Sequence, residues 1–408
     1  LGNNMILFIE SNTTGSGMKA LKRTKEMGFY PVFLTNDPTR YQGLSHIDCL
    51  VVECDTNSVR RVQKKIDRFF QTDHIIGITT TSDFYLEIVA ELQQVYQLQG
   101  NSPKTIRTCR HKGLSRMALD QHQVLQPKFW IVNSKIELQK ISTLISYPVV
   151  VKPVDDSGSN GVKLCHDIVE VITHTQELLG VHINVRGQST EQSVLIEEYV
   201  DAPEFSVEMF SDKGDIHFIG ITQKEIIGNP YFVEAGHIFP APLSGEQILN
   251  IKNTVIKALQ AVQHRFGPSH TEVKWTPQGA SVIEINARLA GGMIPELIRI
   301  STGVDLLDQQ IRMVSGSSFH ISESKRKVSG IRFLTTNTSG VFNGFDGVEK
   351  AREISGIEQI VITAQKGKKI RPPQNAYDRL GYIVAKGSSS IEVKKKMDEA
   401  LSKIRTKI

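Results

Sequence analysis

Thr271-Glu272-Val273-Lys274-Trp275, a turn over residues 277–279, and Ala280-Ser281-Val282-Ile283-Glu284-Ile285-Asn286-Ala287-Arg288 decide how this chain is read. Both runs have the length and residue types of strands, and together they predict an antiparallel pair. Side chains alternate faces along a strand, so Ile283, Ile285 and Ala287 are expected in one layer and Glu284, Asn286 and Arg288 in the other. Glu272 and Lys274 likewise share a face, opposite Val273 and Trp275. An acid, an amide oxygen and a guanidinium at three same-face positions, beside a second acid, suit a site for Mg2+ and phosphate together. Mg2+ takes hard oxygen ligands, keeps several waters and is commonly held by one or two carboxylates plus phosphates. Glu272, Glu284 and Asn286 are the expected metal ligands. Arg288 is the expected catalytic cation, neutralising charge on a transferred phosphoryl group or an acyl phosphate. A solvent-facing polar ladder is the bland alternative. Gly291 and Gly292 follow, where paired glycines permit close approach of a ligand before a helix near residues 294–300.

Upstream, Pro148-Val149-Val150-Val151-Lys152-Pro153 reads as a β-branched strand ending in lysine, followed at once by Asp155-Asp156-Ser157-Gly158-Ser159-Asn160-Gly161-Val162. The ammonium of Lys152 supplies a point charge. The small residues Ser157, Gly158, Ser159 and Gly161 let backbone N–H groups approach phosphate oxygens. Gly158 and Gly161 are the expected hinges. The order G-x4-G-K-[ST] is absent, which disfavours a P-loop, and a plain hairpin loop is the alternative. Val194-Leu195-Ile196-Glu197-Glu198-Tyr199-Val200 is a further strand, and Glu204 opens the next one after Pro203. Such a hinge can present backbone groups to an adenine edge, with Glu204 placed to accept from ribose hydroxyls.

The first hundred residues alternate strands (5–10, 30–35, 49–53, 74–79) with helices (17–27, 59–70, 84–97), which predicts an open parallel α/β sheet with right-handed crossovers. Gly15-Ser16-Gly17-Met18-Lys19-Ala20 matches G-x-G-x-x-A, and Asp37 lies 20 residues after Gly17. This spacing opens a rival reading, a dinucleotide cofactor on the first turn. A tight strand-to-helix turn needs glycine equally, and the rest of the chain offers a fuller nucleotide site.

The chain has 408 residues, 39% hydrophobic and 22% charged, enough for two or three domains with their own cores. A formal charge of +5 comes from scattered residues and short clusters near Lys325 and Lys394 that lack interleaved aromatics, so nucleic acid is not an expected partner. No apolar run reaches the ~18 to 20 residues that span a bilayer, so no membrane is expected and the cytoplasm is the expected compartment. Four cysteines with one C-x4-C pair complete no zinc site and are expected as free thiols. Toward the end of the chain, strands near residues 330–335 and 357–363 and a helix over residues 391–404 suggest a closing subdomain. Asp378 and Arg379 read there as a surface ion pair.

Lys112, Lys152, the Ser/Gly loop, Glu197-Glu198-Tyr199-Val200, Glu204, Glu272 and Glu284-Ile285-Asn286-Ala287-Arg288, in this order, resemble the ATP-grasp carboxylate-amine ligases. The resemblance covers nearly the whole chain. Tyr231-Phe232-Val233-Glu234-Ala235-Gly236-His237-Ile238-Phe239-Pro240 and the run from Asn286 to Gly292 are similar to bacterial L-amino-acid ligases of the bacilysin-synthetase type, which make dipeptides. The resemblance implies an ATP-grasp fold, α/β at first and α+β in its C-terminal part. It divides the chain into a Rossmann-like N-terminal domain (1–112), a small lobe with the phosphate loop (113–200) and a large lobe with the closing subdomain (201–408). It implies ATP and Mg2+, two ions with Mn2+ an admissible substitute, and phosphorylation of one amino acid's carboxylate before attack by another's amine. Lys112 and Lys152 would meet phosphates, Glu197, Tyr199 and Val200 the adenine, and Glu204 the ribose. Glu234, His237, Arg288 and Gly291 would lie near the amino acids. Amino acids, as small-molecule substrates, are the partners so implied, and a homodimer is compatible with the reading. Rivals are an ATP-grasp ligase of purine-pathway or carboxylase type, an NAD(P)-dependent oxidoreductase, and a silent nucleotide-binding protein.

Overall fold

In the computed structural model, residues 4–13, 17–227, 231–321 and 327–408 are described. β1 (Met5–Ile9), β2 (Tyr30–Thr35), β3 (Leu50–Glu53) and β4 (Ile75–Thr79) form a parallel sheet in the order β3-β2-β1-β4. β1 is an unbroken apolar run buried at every position, as a strand covered on both faces must be. Met5, Leu7 and Ile9 pack with Val62, Ile66 and Leu92 of the helices Val59–Phe69 and Leu86–Val95. Ile6 and Phe8 face Leu21 of the helix Gly17–Glu26 and a core shared with the helices Ile294–Thr302 and Leu306–Val314. That second face joins the N-terminal sheet to the rest of the molecule.

Residues 14–16 of the glycine-rich turn lie outside the described residues. Asp37 accepts from the backbone N–H of Thr39 (3.0 Å) and from its hydroxyl (2.6 Å), capping the turn Pro38–Arg40. Its carboxylate therefore has a local structural task.

β5 (Phe129–Val132), β6 (Val149–Pro153), β7 (Lys163–Cys165) and β8 (Val194–Glu198) make a small antiparallel sheet in the order β5-β8-β6-β7. The Ser/Gly segment is the loop of the β6–β7 hairpin, with positive φ at Gly158, Ser159 and Gly161. The third sheet holds eight strands, β9 (Glu204–Asp212), β10 (Asp215–Ile227), β11 (Val233–Phe239), β12 (Gly267–Thr276), β13 (Gly279–Asn286), β14 (Val328–Leu334), β17 (Ile357–Ile362) and β19 (Gly381–Gly387). Their order is β13-β12-β9-β10-β11-β14-β19-β17. Two short ribbons pair β15 (Gly340–Val341) with β18 (Lys369–Ile370) and β16 (Gly344–Asp346) with β20 (Arg405–Lys407).

The helix Gly245–Ala261 starts at a Ser244/Gln247 capping box and buries Ile251, Val255 and Leu259 against Val273, Val282 and Ile285. This packing fixes the backs of β12 and β13, so their polar faces point the other way. All four cysteines are free, with Cys109 and Cys165 buried. Among the described residues no helix is long and apolar enough to cross a membrane.

Candidate active site

The polar faces of β12 and β13 form one wall of a cavity of about 730 Å³, which the N-terminal sheet, the small sheet and the segment between β17 and β19 also line. The register opposes Glu272 to Glu284 and His270 to Asn286, then shifts so that Val273 opposes Val282. Ile283 is the extra residue of a β-bulge. Strict alternation placed Ile283 in the apolar layer with Ile285, and the bulge overturns this. Val282 and Ile285 enter the core, while Ile283 stands in the cavity wall beside Glu284, Asn286 and Arg288.

A buried lysine organises the carboxylates of this wall. Lys224 on β10 lies 2.7 Å from Glu204, 2.9 Å from Glu234 and 2.9 Å from Glu272. Burial alone would lower its pKa, but the three carboxylates raise it well above the usual lysine value. Burial would likewise raise Glu234 and Glu272, yet Lys224 holds both well below the carboxylate range. His270 reaches Glu208 at 2.7 Å and Glu272 at 3.3 Å. Burial opposes its charge, and the two acids nevertheless raise it to about 10, so it stays protonated. The sequence reading missed Lys224. The cue used for Lys152, a lone lysine within a strand, was present there also.

Elsewhere in the cavity wall, Lys112 opens the helix Lys112–Gln121, donates to the carbonyl of Asp156 (2.6 Å) and lies 3.7 Å from Glu284. Lys152 projects from β6 to Glu197 at 2.6 Å, and Glu197 also accepts from Arg116. Burial would raise the Glu197 carboxyl, and the two cations hold it at about 2. The adenine role expected of Glu197 therefore meets a side chain already committed to positioning Lys152. Tyr199, Val200 and Phe232 line the cavity. Lys274 donates to the carbonyl of Val200 (2.8 Å) and sits over the Tyr199 ring (5.0 Å).

Arg288 pairs with Asp83 of the N-terminal segment at 2.6 Å, and Asp83 also accepts from Ser157 of the β6–β7 loop at 2.8 Å. Burial would raise Asp83, but Arg288 and Arg110 hold it ionised far below its usual range. Ser157, Gly158 and Ser159 line the cavity, and Gly291 does too. Gly161 does not, because it is turned toward the helix Ile168–Leu179: a Cβ there would sit 2.8 Å from Leu178, and its carbonyl accepts from His174 (2.8 Å).

His237 is also set behind the wall, next to Gly292, where a Cβ would lie 2.6 Å from its Nε2. It is 1% exposed and 3.6 Å from Glu234, and neither ring nitrogen has a hydrogen-bond partner among the described residues. Burial pushes it down to about 4, leaving a neutral imidazole. Asp378 and Arg379 do not pair with each other. Asp378 ends the 3-10 turn Ala376–Asp378 and Arg379 leaves it in extended backbone, and the two side chains part: Asp378 meets Arg371 (2.9 Å) while Arg379 reaches into the cavity to Glu234 (2.8 Å).

The donor set fits a divalent ion that arrives with phosphate: Glu272, Glu284 and Asn286 offer hard oxygens on one wall. Among the described residues no cluster of three or more His, Cys, Asp or Glu side chains is placed to hold an ion unaided. An ion here takes the rest of its shell from water and phosphate oxygens.

Residues 145–296 match the model of the ATP-grasp domain, and residues 332–408 that of L-amino acid ligase C-terminal domain 2. An uncharacterised protein of Sinorhizobium fredii is 30% identical over 379 residues, 93% of this chain and 78% of that protein. Dapdiamide A synthase of Enterobacter agglomerans is 27% identical over 184 residues, 44% of this chain and 42% of that enzyme. The crystal structure of an L-amino acid ligase from Bacillus licheniformis superposes with a TM-score of 0.84 at 22% identity, covering 100% of this chain and 99% of that one. The parallel N-terminal sheet followed by antiparallel sheets is the ATP-grasp fold, whose family uses ATP and Mg2+. With the two matched domains and a cavity in which lysines, acids and an arginine converge, the chain belongs to the ATP-grasp carboxylate-amine ligases, ADP-forming enzymes, and carries an L-amino acid ligase C-terminal domain.

Proposed function

We propose that the protein joins two L-amino acids into a dipeptide through an aminoacyl phosphate, releasing ADP and phosphate. The observation that carries this reading is the bond from Arg379 to Glu234. It makes the segment matching the L-amino acid ligase C-terminal domain a wall of the same cavity that holds Arg288 and Lys152.

ATP would lie with its adenine near Tyr199, Val200 and Ile283, its ribose near Glu204, and its phosphates between Lys112, Lys152 and the loop from Ser157 to Ser159. Mg2+ held by Glu272, Glu284 and Asn286, as one ion or two, would neutralise charge on the phosphate oxygens. The carboxylate of the first amino acid attacks the γ-phosphorus, and ADP leaves. Arg288 offsets charge on the transferred group and on the acyl phosphate. Glu234, paired with Lys224 and Arg379, would lie near that amino acid. Tyr377 stands over Gly158, so the phosphate loop and the C-terminal segment close on each other and limit hydrolysis by water. The second amino acid's amine attacks the acyl carbon, phosphate leaves, and the amine gives up a proton. His237 is set behind this wall and does not line the cavity, so the departing phosphate is the proton acceptor that the step itself supplies.

Phosphate release from ATP and Mg2+ across single and paired L-amino acids, with mass spectrometry of products, tests the reading. Release that depends on amino acids and yields a dipeptide of matching mass is expected. Release without a dipeptide would move the assignment to another acid or amine acceptor, such as those of purine-pathway or carboxylase-type enzymes.

A further inference from the structure

Among the described residues five arginines line the cavity, and four have a carboxylate within 4.0 Å: Arg288 with Asp83, Arg299 with Glu296, Arg371 with Asp378 and Arg379 with Glu234. Among the described residues Arg186 has none. It is only 7% exposed, in the segment between the helix Ile168–Leu179 and β8. One Nη donates to the Tyr41 hydroxyl (2.9 Å) and the other to the carbonyl of Ser11 (2.7 Å). The rings of Tyr41 and Tyr85 flank it at 5.9 and 5.8 Å. The nearby acid, Glu10, is reached only through Tyr41, whose hydroxyl donates to it. Glu10 already accepts from Thr35 and Thr56. A guanidinium so desolvated and short of countercharge is costly unless an anion completes it.

The site faces the chemistry. Arg186 lines the same cavity as Arg288, Tyr377 and the loop from Ser157 to Ser159. Resting on the dipeptide-ligase reading, we propose that Arg186 binds the carboxylate of the second amino acid, the one that supplies the amine. The first amino acid's carboxylate is consumed as the acyl phosphate between Lys152 and Arg288. The second keeps its carboxylate throughout, so it alone needs a standing cation, on a different wall from Glu234.

The test compares three nucleophiles at a fixed first amino acid with ATP and Mg2+: an L-amino acid, its amide, and hydroxylamine. Hydroxylamine displaces phosphate from the acyl phosphate to give a hydroxamate and has no carboxylate. The wild type should favour the free acid over its amide by about tenfold to hundredfold, the worth of one charge-assisted pair. Arg186→Gln should lower the ratio of dipeptide to hydroxamate by a similar factor, and Arg186→Lys should restore part of it. Equal falls in dipeptide and hydroxamate, or a rise confined to the first amino acid's KM, would overturn the proposal. A wild type that takes acid and amide equally would overturn it without any variant. Absence of both hydroxamate and dipeptide with the wild type would remove the ligase reading and this proposal together, whereas a dipeptide formed with no change in preference for Arg186→Gln would remove the proposal alone.

Discussion

His237 and His264 are both pushed down to about 4 by burial, while an unfolded histidine titrates near ~6.5. Between about 6.5 and 4 the unfolded chain therefore binds two protons that the native state lacks, and stability falls as the pH falls through that window. His270 has the opposite sign. Burial opposes its charge, but Glu208 and Glu272 raise it to about 10, so its stabilisation is complete below ~6.5 and is lost as the pH rises toward 10. Urea unfolding from about pH 7 to about pH 5 should lose roughly 1 kcal/mol per pH unit for each of the two neutral histidines. His264 lies away from the cavity, with Nδ1 on the Ser211 hydroxyl (2.9 Å), so His264→Gln should remove about half of that acid-side slope. An unaltered slope would mean that this histidine is protonated in the native state. Composition gives no hint of these opposite signs. They depend on which histidine meets a carboxylate across the sheet, and Glu208 lies 62 positions from His270.

β12 and β13 show what strand periodicity reveals and what it hides. Alternation identified the faces of Glu272, Glu284, Asn286 and Arg288 because each run has apolar partners at the intervening positions. It failed at Ile283, since a bulge depends on pairing with β12 rather than on the residues of β13 alone. The Ser/Gly loop was legible for a related reason: Gly158 and Gly161 accept the positive φ that the β6–β7 turn requires, and Ser159 adopts it between them. The bulge gives these neighbouring residues separable fates. Ile285→Ala removes core atoms that pack on the helix Gly245–Ala261 and should cost about 2–5 kcal/mol. Ile283→Ala cuts a half-buried cavity side chain and should cost less than about 1.5 kcal/mol. It should instead raise the KM for ATP by about tenfold, roughly the contact a purine face loses with one aliphatic side chain. Chemical denaturation of the two variants beside ATP titration checks both; equal destabilisation would put Ile283 back in the core.

At the scale of the whole molecule the site is assembled from segments that share no local pattern. Lys224, Asp83, Arg186 and Arg379 sit in ordinary-looking stretches, and only the packing of the three sheets brings them to one cavity. Asp83 shows the consequence most sharply: one carboxylate ties the N-terminal segment to Ser157 of the small lobe and to Arg288 of the large sheet. Removing one partner of a buried pair leaves the other charge uncompensated, at a cost of about 3–5 kcal/mol, whereas replacing both with neutral groups is often close to neutral. Arg288→Gln should therefore lose both stability and amino-acid-dependent ADP formation. Asp83→Asn should also be destabilised by strengthening the need of Arg288 for another anion, and its ATP affinity should rise because the phosphates then serve as that anion. The double variant Asp83→Asn/Arg288→Gln should regain most of the stability while ADP formation stays at least about a hundredfold down, as expected when a charge that stabilises the transferred group is missing. Denaturant unfolding and ADP release measured on the three proteins separate the two roles. Activity that returned together with stability in the double variant would show that Arg288 serves the architecture and that the phosphoryl charge is met by the lysines alone.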